Sequence, residues 1–509
     1  MTASPPSGRP PITIPRTVAE VFAPVVGEDP GREALVTRSG RWSYAELDRL
    51  CDRAAHALHA MGVRAGDRVA GALPNDLDVI LAFHGAMRIG AIWVGVNRAL
   101  APPEKRYLLD DSGSSLLVCD AATAEQVAGT GGDAPRVVVL EDGVGEWYDA
   151  LAAAPDSPFS VEIDPFAPAG IAYTSGTTGY PKGAVHSQYN LLLPGAVLGA
   201  SRGYGPALRK GDFLPLTILN LQVLTTLLTA QAGGCAVIFD RSDVVGVAEW
   251  IRTERVTAWN GPPALIHSLA GSDEVVADDL ASLDEVWNGG GDCPEPVRAA
   301  FEQKFAKPVL ATYGLSEAPT VVTIDDLDGT HVAEGSGRPL PHIAVHVVDD
   351  EICLAPTTTG DWAGVYRPML GYWQRPEATE ETLHDGLLHT GDLGFVDDDG
   401  FLHVRDRKSL VIIRGGGNVY PAEIERVLHE LPEVEACAVV GLPDERLGER
   451  VAVAVQRRDG ASVGEDELRA HCLANLARYK VPERWLFVDA FPRNSMGKIQ
   501  RGDLLALFE

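Results

Sequence analysis

The sequence predicts an α/β protein, with a large multi-subdomain N-terminal domain of mostly parallel sheets and a small α+β C-terminal domain. The chain has 509 residues, which corresponds to about three domains or subdomains at roughly 150 residues each. Helical and strand patterns alternate from residue 17 to about residue 350, as in layered folds with parallel sheets. The last ~100 residues instead carry short strands and helices of their own.

The N-terminal elements begin with a capping box. The Ser43 hydroxyl and the Glu46 carboxylate can each satisfy a free backbone N–H at the start of a helix. Leu47, Leu50, Ala54 and Leu58 follow on one face, and Gly62 ends the pattern. The elements predicted next are a strand at Val69–Leu73, a helix from about Asp76 and a strand at Ala91–Val96.

The C-terminal part begins after a charged, turn-rich stretch at residues 397–409. A helix is expected from Tyr420, because Pro421 and acidic residues occupy its first turn. Strands at Ala436–Val440 and Arg450–Val455 and a helix at Glu465–Ala477 complete the small domain. The predicted organisation is a flexible lead-in at 1–16, an N-terminal domain at 17–406 and a C-terminal domain at 407–509.

Composition excludes several classes of protein. A net charge of −28 argues against a nucleic-acid binder, which needs a basic surface. The longest uncharged stretch, Phe213–Phe239, contains Pro215, Gln222 and the pair Gly233-Gly234, so it predicts a buried helix, turn and strand rather than a membrane span. Seven scattered cysteines and no signal peptide favour a soluble cytoplasmic protein.

The segment Tyr173–Gly183 is the strongest candidate for ligand binding. Four hydroxyl side chains alternate with glycines, and Lys182 follows. Glycines let the backbone approach a ligand, while N–H groups, hydroxyls and a lysine hold phosphate oxygens. The segment is not a Walker P-loop, because Lys182 is not flanked by Gly and Ser/Thr in that order. From composition alone, a Ser/Thr/Gly surface loop remains an alternative.

This string resembles the phosphate loop of the adenylate-forming superfamily, which includes acyl-CoA synthetases, adenylation domains of peptide synthetases and luciferases. Further motifs stand in the family's order and cover nearly the whole chain: Asn288–Asp292, Tyr313–Glu317, Thr390–Asp392, Asp406–Glu425 and Pro492–Ile499. The resemblance implies an acid–thiol ligase that uses ATP, Mg²⁺ and CoA, with a C-terminal domain that rotates between two half-reactions.

The resemblance also implies the role of each site residue. Lys498 and Glu317 are catalytic, and Glu317 is the Mg²⁺ ligand. CoA passes Gly415, Gly416 and Gly417, and Ser409 is the hinge, where relatives more often have Asp or Lys. ATP or AMP is bound by Thr174, Ser175, Gly176, Thr177, Thr178, Gly179, Lys182, Gly290, Gly291, Asp292, Tyr313, Gly314, Ser316, Asp392 and Arg407. An ion pair at the domain boundary is the alternative role for Asp392 and Arg407.

The substrate is predicted to be an apolar aliphatic or aryl acid. Amino-acid-activating relatives place an Asp near the acyl pocket, and none stands between Phe213 and Phe239. Pro215-Leu216 also lacks the aromatic–His pair that often follows in the family. Two alternatives stay open: an enzyme that loads an acyl carrier protein instead of CoA, and a catalytically silent nucleotide sensor. The oligomeric state is open, with a homodimer among the alternatives.

Overall fold

The computed structural model describes residues 6–128, 135–141, 143–174, 181–289, 293–414, 417–444, 447–476, 478–493 and 499–508. The chain divides into two compact units. The first comprises Met1–His346 and Leu354–His389, and the second comprises Val347–Cys353 and Thr390–Glu509. The domain boundary predicted at 406/407 stays a prediction.

The strands, in chain order, are β1 (Glu33–Thr37), β2 (Gly40–Ser43), β3 (Arg68–Ala72), β4 (Ile92–Gly95), β5 (Leu116–Asp120), β6 (Arg136–Leu140), β7 (Pro168–Thr174), β8 (Lys182–Ser187), β9 (Arg209–Asp212), β10 (Cys235–Ile238), β11 (Ala258–Asn260), β12 (Glu285–Asn288), β13 (Val309–Leu315), β14 (Thr320–Ile324), β15 (Arg338–Pro339), β16 (Ile343–Val348), β17 (Glu351–Pro356), β18 (Gly371–Tyr372), β19 (Leu383–His384), β20 (Leu387–Val396), β21 (Leu402–Arg407), β22 (Ile412–Arg414), β23 (Gly417–Val419), β24 (Val434–Asp444), β25 (Gly448–Arg457) and β26 (Arg484–Val488).

The α-helices are α1 (Ala23–Glu28), α2 (Tyr44–Ala60), α3 (Leu77–Ile89), α4 (Pro102–Ser112), α5 (Ala121–Val127), α6 (Glu146–Ala153), α7 (Gln188–Arg202), α8 (Leu219–Leu221), α9 (Leu228–Ala232), α10 (Val244–Glu254), α11 (Pro263–Gly271), α12 (Glu295–Phe305), α13 (Pro376–Thr382), α14 (Pro421–His429), α15 (Glu465–Asn475) and α16 (Arg501–Leu505). Short 3₁₀ helices lie at Val18–Glu20, Ala277–Leu280 and Lys408–Leu410. A π-helical turn, Gln222–Leu227, joins α8 to α9.

The first unit contains two large sheets. One has the order β15-β14-β13-β12-β11-β9-β10-β1-β2, and the other β18-β8-β7-β4-β3-β5-β6. The inner strands of both sheets pair in parallel, and the antiparallel pairs lie at the ends, as at β13–β14 and β7–β8. The carboxyl ends of parallel strands are where open α/β sheets bind ligands. This arrangement confirms the predicted fold class.

The second unit has a smaller sheet of order β23-β22-β25-β24, with β26 beside β25. Helices α14 and α15 pack over it, and Ile424, Leu428 and Leu468 are fully buried in its core. In the same unit, β20 and β21 pair antiparallel, with Asp392 opposite Arg407. The α+β character predicted for this part of the chain is therefore confirmed.

The local signals read from the sequence form the expected elements. Ser43 and Glu46 make both bonds of the capping box at the start of α2. Asp76 caps α3 by accepting a hydrogen bond from the Leu77 N–H at 2.8 Å. The uncharged stretch Phe213–Phe239 folds into helical segments followed by β10. Across the described ranges, no helix combines the length and the apolar character that a membrane span needs.

Candidate active site

The predicted phosphate loop joins the two antiparallel strands β7 and β8. Thr174 ends β7 opposite Lys182, which begins β8, and the Thr174 hydroxyl donates to the Lys182 carbonyl at 3.3 Å. Helix α4 contacts the base of the hairpin, because the Tyr173 hydroxyl donates to the Asp111 carboxylate at 2.8 Å. The loop residues Ser175, Gly176, Thr177, Thr178 and Gly179 lie outside the described residues.

A second motif forms the hairpin of β13 and β14. Its turn is residues 316–319, so Glu317 lies at the tip of the hairpin rather than in a helix. Gly314 is required by close packing, because a Cβ there would overlap the carbonyl oxygen of Thr320. Thr320 itself has φ 72°, a left-handed backbone that β-branched residues rarely adopt. Such backbone strain clusters at functional sites.

Tyr372 connects the two hairpins. Its hydroxyl donates to the Glu317 carboxylate at 2.7 Å, and Lys182 Nζ lies 5.3 Å from the centroid of its ring. Tyr372 is positioned by β18, where it stands opposite Ala184 of β8. The Glu317 carboxylate is therefore oriented and half-buried, and hard oxygen donors of this kind suit Mg²⁺.

His186 of β8 contacts the turn of the β13–β14 hairpin. Burial lowers the pKa of His186 to about 4, so the imidazole is neutral at pH 7. Its Nε2–H donates to the Ser316 carbonyl at 2.7 Å. The Met369 N–H donates to the Glu317 carbonyl at 2.8 Å. The backbone on both sides of the Ser316–Glu317 peptide is thus fixed by neighbouring segments.

The carboxyl end of β12 lies beside the β13–β14 hairpin. The Thr312 hydroxyl donates to the Asn288 carbonyl at 2.8 Å, and the register places Asn288 opposite Ala311. Tyr313 is half-buried on β13. Gly290, Gly291 and Asp292, which the sequence assigns to the adenine edge, lie outside the described residues.

In the second unit, Asp392 and Arg407 form an ion pair. Arg407 Nε lies 2.8 Å from Asp392 Oδ1, and the aspartate is buried while the arginine is partly exposed. Thr390 fixes the backbone that leads to Asp392. Its hydroxyl donates to the Ile352 carbonyl at 2.7 Å and accepts from the Asp392 N–H at 3.0 Å. Gly391 has φ 74°, a conformation that glycine adopts without strain. The structure thus shows an ion pair between these two residues within the second unit, and their predicted role in nucleotide binding stays a prediction.

The remaining predicted residues are only partly described. Ser409 lies in the 3₁₀ helix Lys408–Leu410, and Gly417 begins β23. Within the lysine motif Pro492–Ile499, Arg493 and Ile499 pair as an isolated antiparallel bridge. Lys498, Gly415 and Gly416 lie outside the described residues, so their roles stay predictions.

Sequence reasoning missed several residues. Tyr372 carries no charge and belongs to none of the quoted motifs; its only signal is a Gly–Tyr–Trp string ahead of Arg375-Pro376. His186 gives no signal at all, because a lone histidine in a strand usually belongs to the core. Lys210 and Asp212, just before the uncharged stretch at 213–239, are both fully buried, which their charge does not predict.

The chain is similar to known proteins over nearly its whole length. The AMP-binding enzyme family matches residues 22–373, and the AMP-binding enzyme C-terminal domain matches residues 423–498. A long-chain-fatty-acid–CoA ligase of Mycobacterium tuberculosis is 34% identical over 469 residues, covering 90% of this chain and 92% of the relative. A feruloyl-CoA synthase of Amycolatopsis sp. is 35% identical over 477 residues, covering 92% and 94%.

A solved structure extends the similarity to the fold. The crystal structure of ATP-bound MatB from Rhodopseudomonas palustris superposes with a TM-score of 0.87 at 29% identity. The match covers 96% of this chain and 99% of that one.

Proposed function

Because the chain belongs to the AMP-binding enzyme family, and is an AMP-forming acid–CoA ligase that uses ATP, Mg²⁺ and CoA, we propose that its acid is an apolar aliphatic or aryl carboxylic acid. The named relatives act on long-chain fatty acids and on ferulate. They therefore include both an aliphatic and an aryl acid, and do not distinguish between the two for this chain. An amino acid is not proposed, since the helical segment beside the hairpin turn carries no carboxylate for an ammonium group.

One observation carries the proposal on the acid. The segment Leu219–Ala232 contains no charged side chain, and its Asn220 amide lies 3.5 Å from the Ser316 hydroxyl. An uncharged wall therefore borders the turn that presents Glu317. Uncharged walls favour an apolar acyl group, because such a group loses no polar hydration when it is buried there.

The chain's own residues divide the first half-reaction between them. An acid carboxylate must attack the α-phosphorus of ATP, and both groups are anionic. In this proposal Lys182 and the loop before it would bind phosphate oxygens, and Lys498 would bridge the carboxylate and the α-phosphate. Glu317, oriented by Tyr372, would hold Mg²⁺. When bound, that ion neutralises charge on the phosphate oxygens and so helps pyrophosphate to leave.

The second unit supplies the remaining groups. Asp392 accepts hydrogen bonds from the ribose hydroxyls, and Arg407 holds its carboxylate in place. After pyrophosphate leaves, the glycines at 415–417 would admit the thiol of CoA, because glycine has no side chain that could narrow the path. The thiol loses its proton to water as its sulfur bonds the acyl carbon, and AMP leaves with the electron pair of the broken C–O bond.

ATP–pyrophosphate exchange tests the acid class. Butanoate, octanoate, palmitate, benzoate, cinnamate, alanine and phenylalanine are each supplied with ATP and labelled pyrophosphate. Exchange with aliphatic or aryl acids, and none with the amino acids, is the expected result. Exchange with an amino acid alone contradicts the proposed acid class.

The acceptor is tested separately. The best acid is incubated with ATP and CoA in the absence of any carrier protein, and the thioester is followed by chromatography. Release of acyl-CoA is expected. Transfer only after a phosphopantetheinylated carrier protein is added would favour the carrier-loading alternative.

A further inference from the structure

Helix α4 places one carboxylate beside the hairpin that carries the predicted phosphate loop. The Asp111 side chain is only 9% exposed. Its Oδ2 accepts a hydrogen bond from the Tyr173 hydroxyl at 2.8 Å, and its Oδ1 accepts one from the Arg375 guanidinium. Aspartate is rarely buried unless it is paired, and here its partners come from β7 and from the segment after β18. Asp111 therefore joins three parts of the chain that are far apart in the sequence.

Tyr107, one turn earlier on α4, reaches the other end of the loop. Its hydroxyl donates to the Pro181 carbonyl at 3.0 Å and lies 3.5 Å from Asp111 Oδ1. Pro181 and Tyr173 stand on opposite sides of residues 175–180 in the chain. The described residues at both ends of the loop are thus bonded to one short stretch of one helix.

Both tyrosine hydroxyls keep the proton that they donate. Burial, followed by the negative charge of Asp111, raises the pKa of Tyr173 and of Tyr107. The Tyr107 oxygen also accepts a hydrogen bond from Arg375, so its own proton is available for the Pro181 carbonyl. A hydrogen bond to an ionised acceptor is roughly twice as strong as a neutral one. The bond from Tyr173 to Asp111 is therefore a strong attachment for the start of the loop.

Asp111 also holds the segment that follows β18. The Trp373 indole N–H donates to the Asp111 backbone carbonyl at 3.2 Å, and the Trp373 backbone N–H donates to the Gly183 carbonyl at 2.8 Å. The preceding residue, Tyr372, donates to the Glu317 carboxylate. The contacts of Asp111 thus lead to the predicted phosphate loop on one side and to the residue that orients Glu317 on the other.

We propose that Asp111 is a positioning residue for nucleotide binding, which fixes both ends of the phosphate loop through Tyr173 and Tyr107 before ATP binds. The inference rests on the proposed phosphate-binding role of Lys182 and the loop before it. Loop ends that are already fixed spare the ligand the entropy cost of ordering them, so ATP binds more tightly. The affinity for the acid should not depend on Asp111, because the proposed wall for the acid lies at Leu219–Ala232.

Binding of ATP in the absence of any acid tests the proposal directly. Calorimetric titration with ATP and Mg²⁺ compares the unmodified protein with Tyr107→Phe, Tyr173→Phe and the variant that carries both changes. These substitutions remove the hydroxyls and keep the rings. The Kd for ATP should rise about 3- to 10-fold in each single variant and further in the double variant. An unchanged Kd in the double variant overturns the proposal.

Asp111→Asn tests the carboxylate itself. The amide has one acceptor oxygen where the carboxylate has two, and Arg375 loses its opposite charge. In ATP–pyrophosphate exchange the KM for ATP should rise at least as much as in Tyr173→Phe, and the KM for the acid should stay unchanged. A general structural defect would instead lower the active fraction without this split, and an equal rise in both KM values overturns the proposal. If Asp111→Asn does not fold, the tyrosine variants decide.

Tyr148→Phe is the matched control. The Tyr148 hydroxyl of α6 donates to Asp78 of α3 at 2.7 Å, a bond of the same kind in the same unit. This variant should lose thermal stability to a similar extent as Tyr173→Phe and should leave the Kd for ATP unchanged. An equal rise in Kd in the control overturns the assignment to Asp111, because it would reflect general loosening.

Lys182→Ala separates the positioning role from the function on which it rests. The Kd for ATP should rise in this variant, since a cation at the loop is lost. An unchanged Kd overturns the proposed phosphate-binding role of the loop and the positioning role with it. A rise in Lys182→Ala without any rise in the tyrosine variants overturns the positioning role alone.

Discussion

Tyr372 shows how one uncharged side chain organises two motifs. Its hydroxyl donates a hydrogen bond to the Glu317 carboxylate, and its ring contacts the Lys182 ammonium group. One side chain therefore positions both an anionic and a cationic group. The two contacts use different parts of the side chain. They can therefore be separated by substitution.

Tyr372→Phe keeps the ring beneath Lys182 and removes the hydrogen bond to Glu317. Residues that orient a metal ligand typically affect metal affinity by 10- to 100-fold. The Mg²⁺ concentration needed for half-maximal pyrophosphate exchange should therefore rise about 10-fold. Tyr366→Phe is the matched control, because the Tyr366 hydroxyl is buried with no hydrogen-bond partner among the described residues. A rise in both variants, or in neither, contradicts the orienting role of Tyr372.

Gly314 tests the packing of the hairpin. In Gly314→Ala the new methyl overlaps the Thr320 carbonyl, so the turn carrying Glu317 has to move. We expect a loss of about 1–3 kcal/mol in the free energy of unfolding together with reduced exchange. Gly199→Ala is the control, since a Cβ at this position of α7 meets nothing within 4 Å. Unfolding followed in urea distinguishes the two.

At the scale of elements, the site is built from two hairpins at the ends of two sheets. Strands β7 and β8 belong to the seven-stranded sheet, and β13 and β14 to the nine-stranded sheet. His186 of β8 and Ser316 after β13 join them directly. The relative position of Lys182 and Glu317 thus depends on how the two sheets pack and not on either hairpin alone.

The lysine motif of the second unit is tested by separating the half-reactions. Lys498→Ala should lower adenylation by at least about 100-fold, since a group that stabilises charge in the transition state is worth that much. Thioester formation from pre-made acyl-adenylate should change by no more than about 3-fold, because pyrophosphate has already left. Lys480→Ala, which removes an ion pair with Glu423 in the same unit, should spare both steps. Equal loss of both steps in Lys498→Ala contradicts this division.

At the scale of the whole molecule, three buried histidines contribute a dependence of stability on pH. Burial lowers the pKa of His84 to about 3, of His186 to about 4 and of His342 to about 3. Unfolded histidines titrate near about 6.5. Below that pH each of these histidines binds more protons in the unfolded chain than in the folded chain, so its contribution to stability falls as the pH falls. At pH 5 each of these histidines costs about 2 kcal/mol relative to pH 7.

His84→Leu tests this pH dependence away from the active site. His84 packs against Phe22 and Phe83 with ring centroids 4.9 and 5.2 Å away, and neither of its nitrogens has a hydrogen-bond partner in the described structure. The free energy of unfolding should fall about 2 kcal/mol less between pH 7 and pH 5 than in the unmodified protein. His346→Gln, at an exposed position, should leave that difference unchanged. The same slope in His84→Leu and the unmodified protein contradicts the argument.

Net charge also acts at this scale. The excess of 28 negative charges opposes anionic ligands at long range, but salt screens such fields beyond about 10 Å. Lys182 is a local cation at the predicted phosphate loop, where it counters this field. The acidic surface then serves mainly solubility.

Much of the architecture follows from local signals. The capping residues Ser43 and Asp76 begin helices where expected, and alternating patterns predict parallel sheets. These signals are readable because caps and periodicity involve residues within a turn or two of one another. The motifs around Lys182, Glu317 and Asp392 also indicate the family, since each is a continuous string.

Other features depend on contacts between distant residues. Tyr372 meets Glu317 across 55 positions of the chain, and Lys210 meets Asn260 across 50. A stretch that looks uncharged from 213 to 239 lies against charges contributed by a neighbouring strand. Burial shifts the pKa of Lys210 and His186 only once the surrounding chain excludes water. The order of the motifs is thus a property of the sequence, whereas the orientation of Glu317 and the buried hydrogen bonds of Lys210 and Asn260 arise only when the sheets pack.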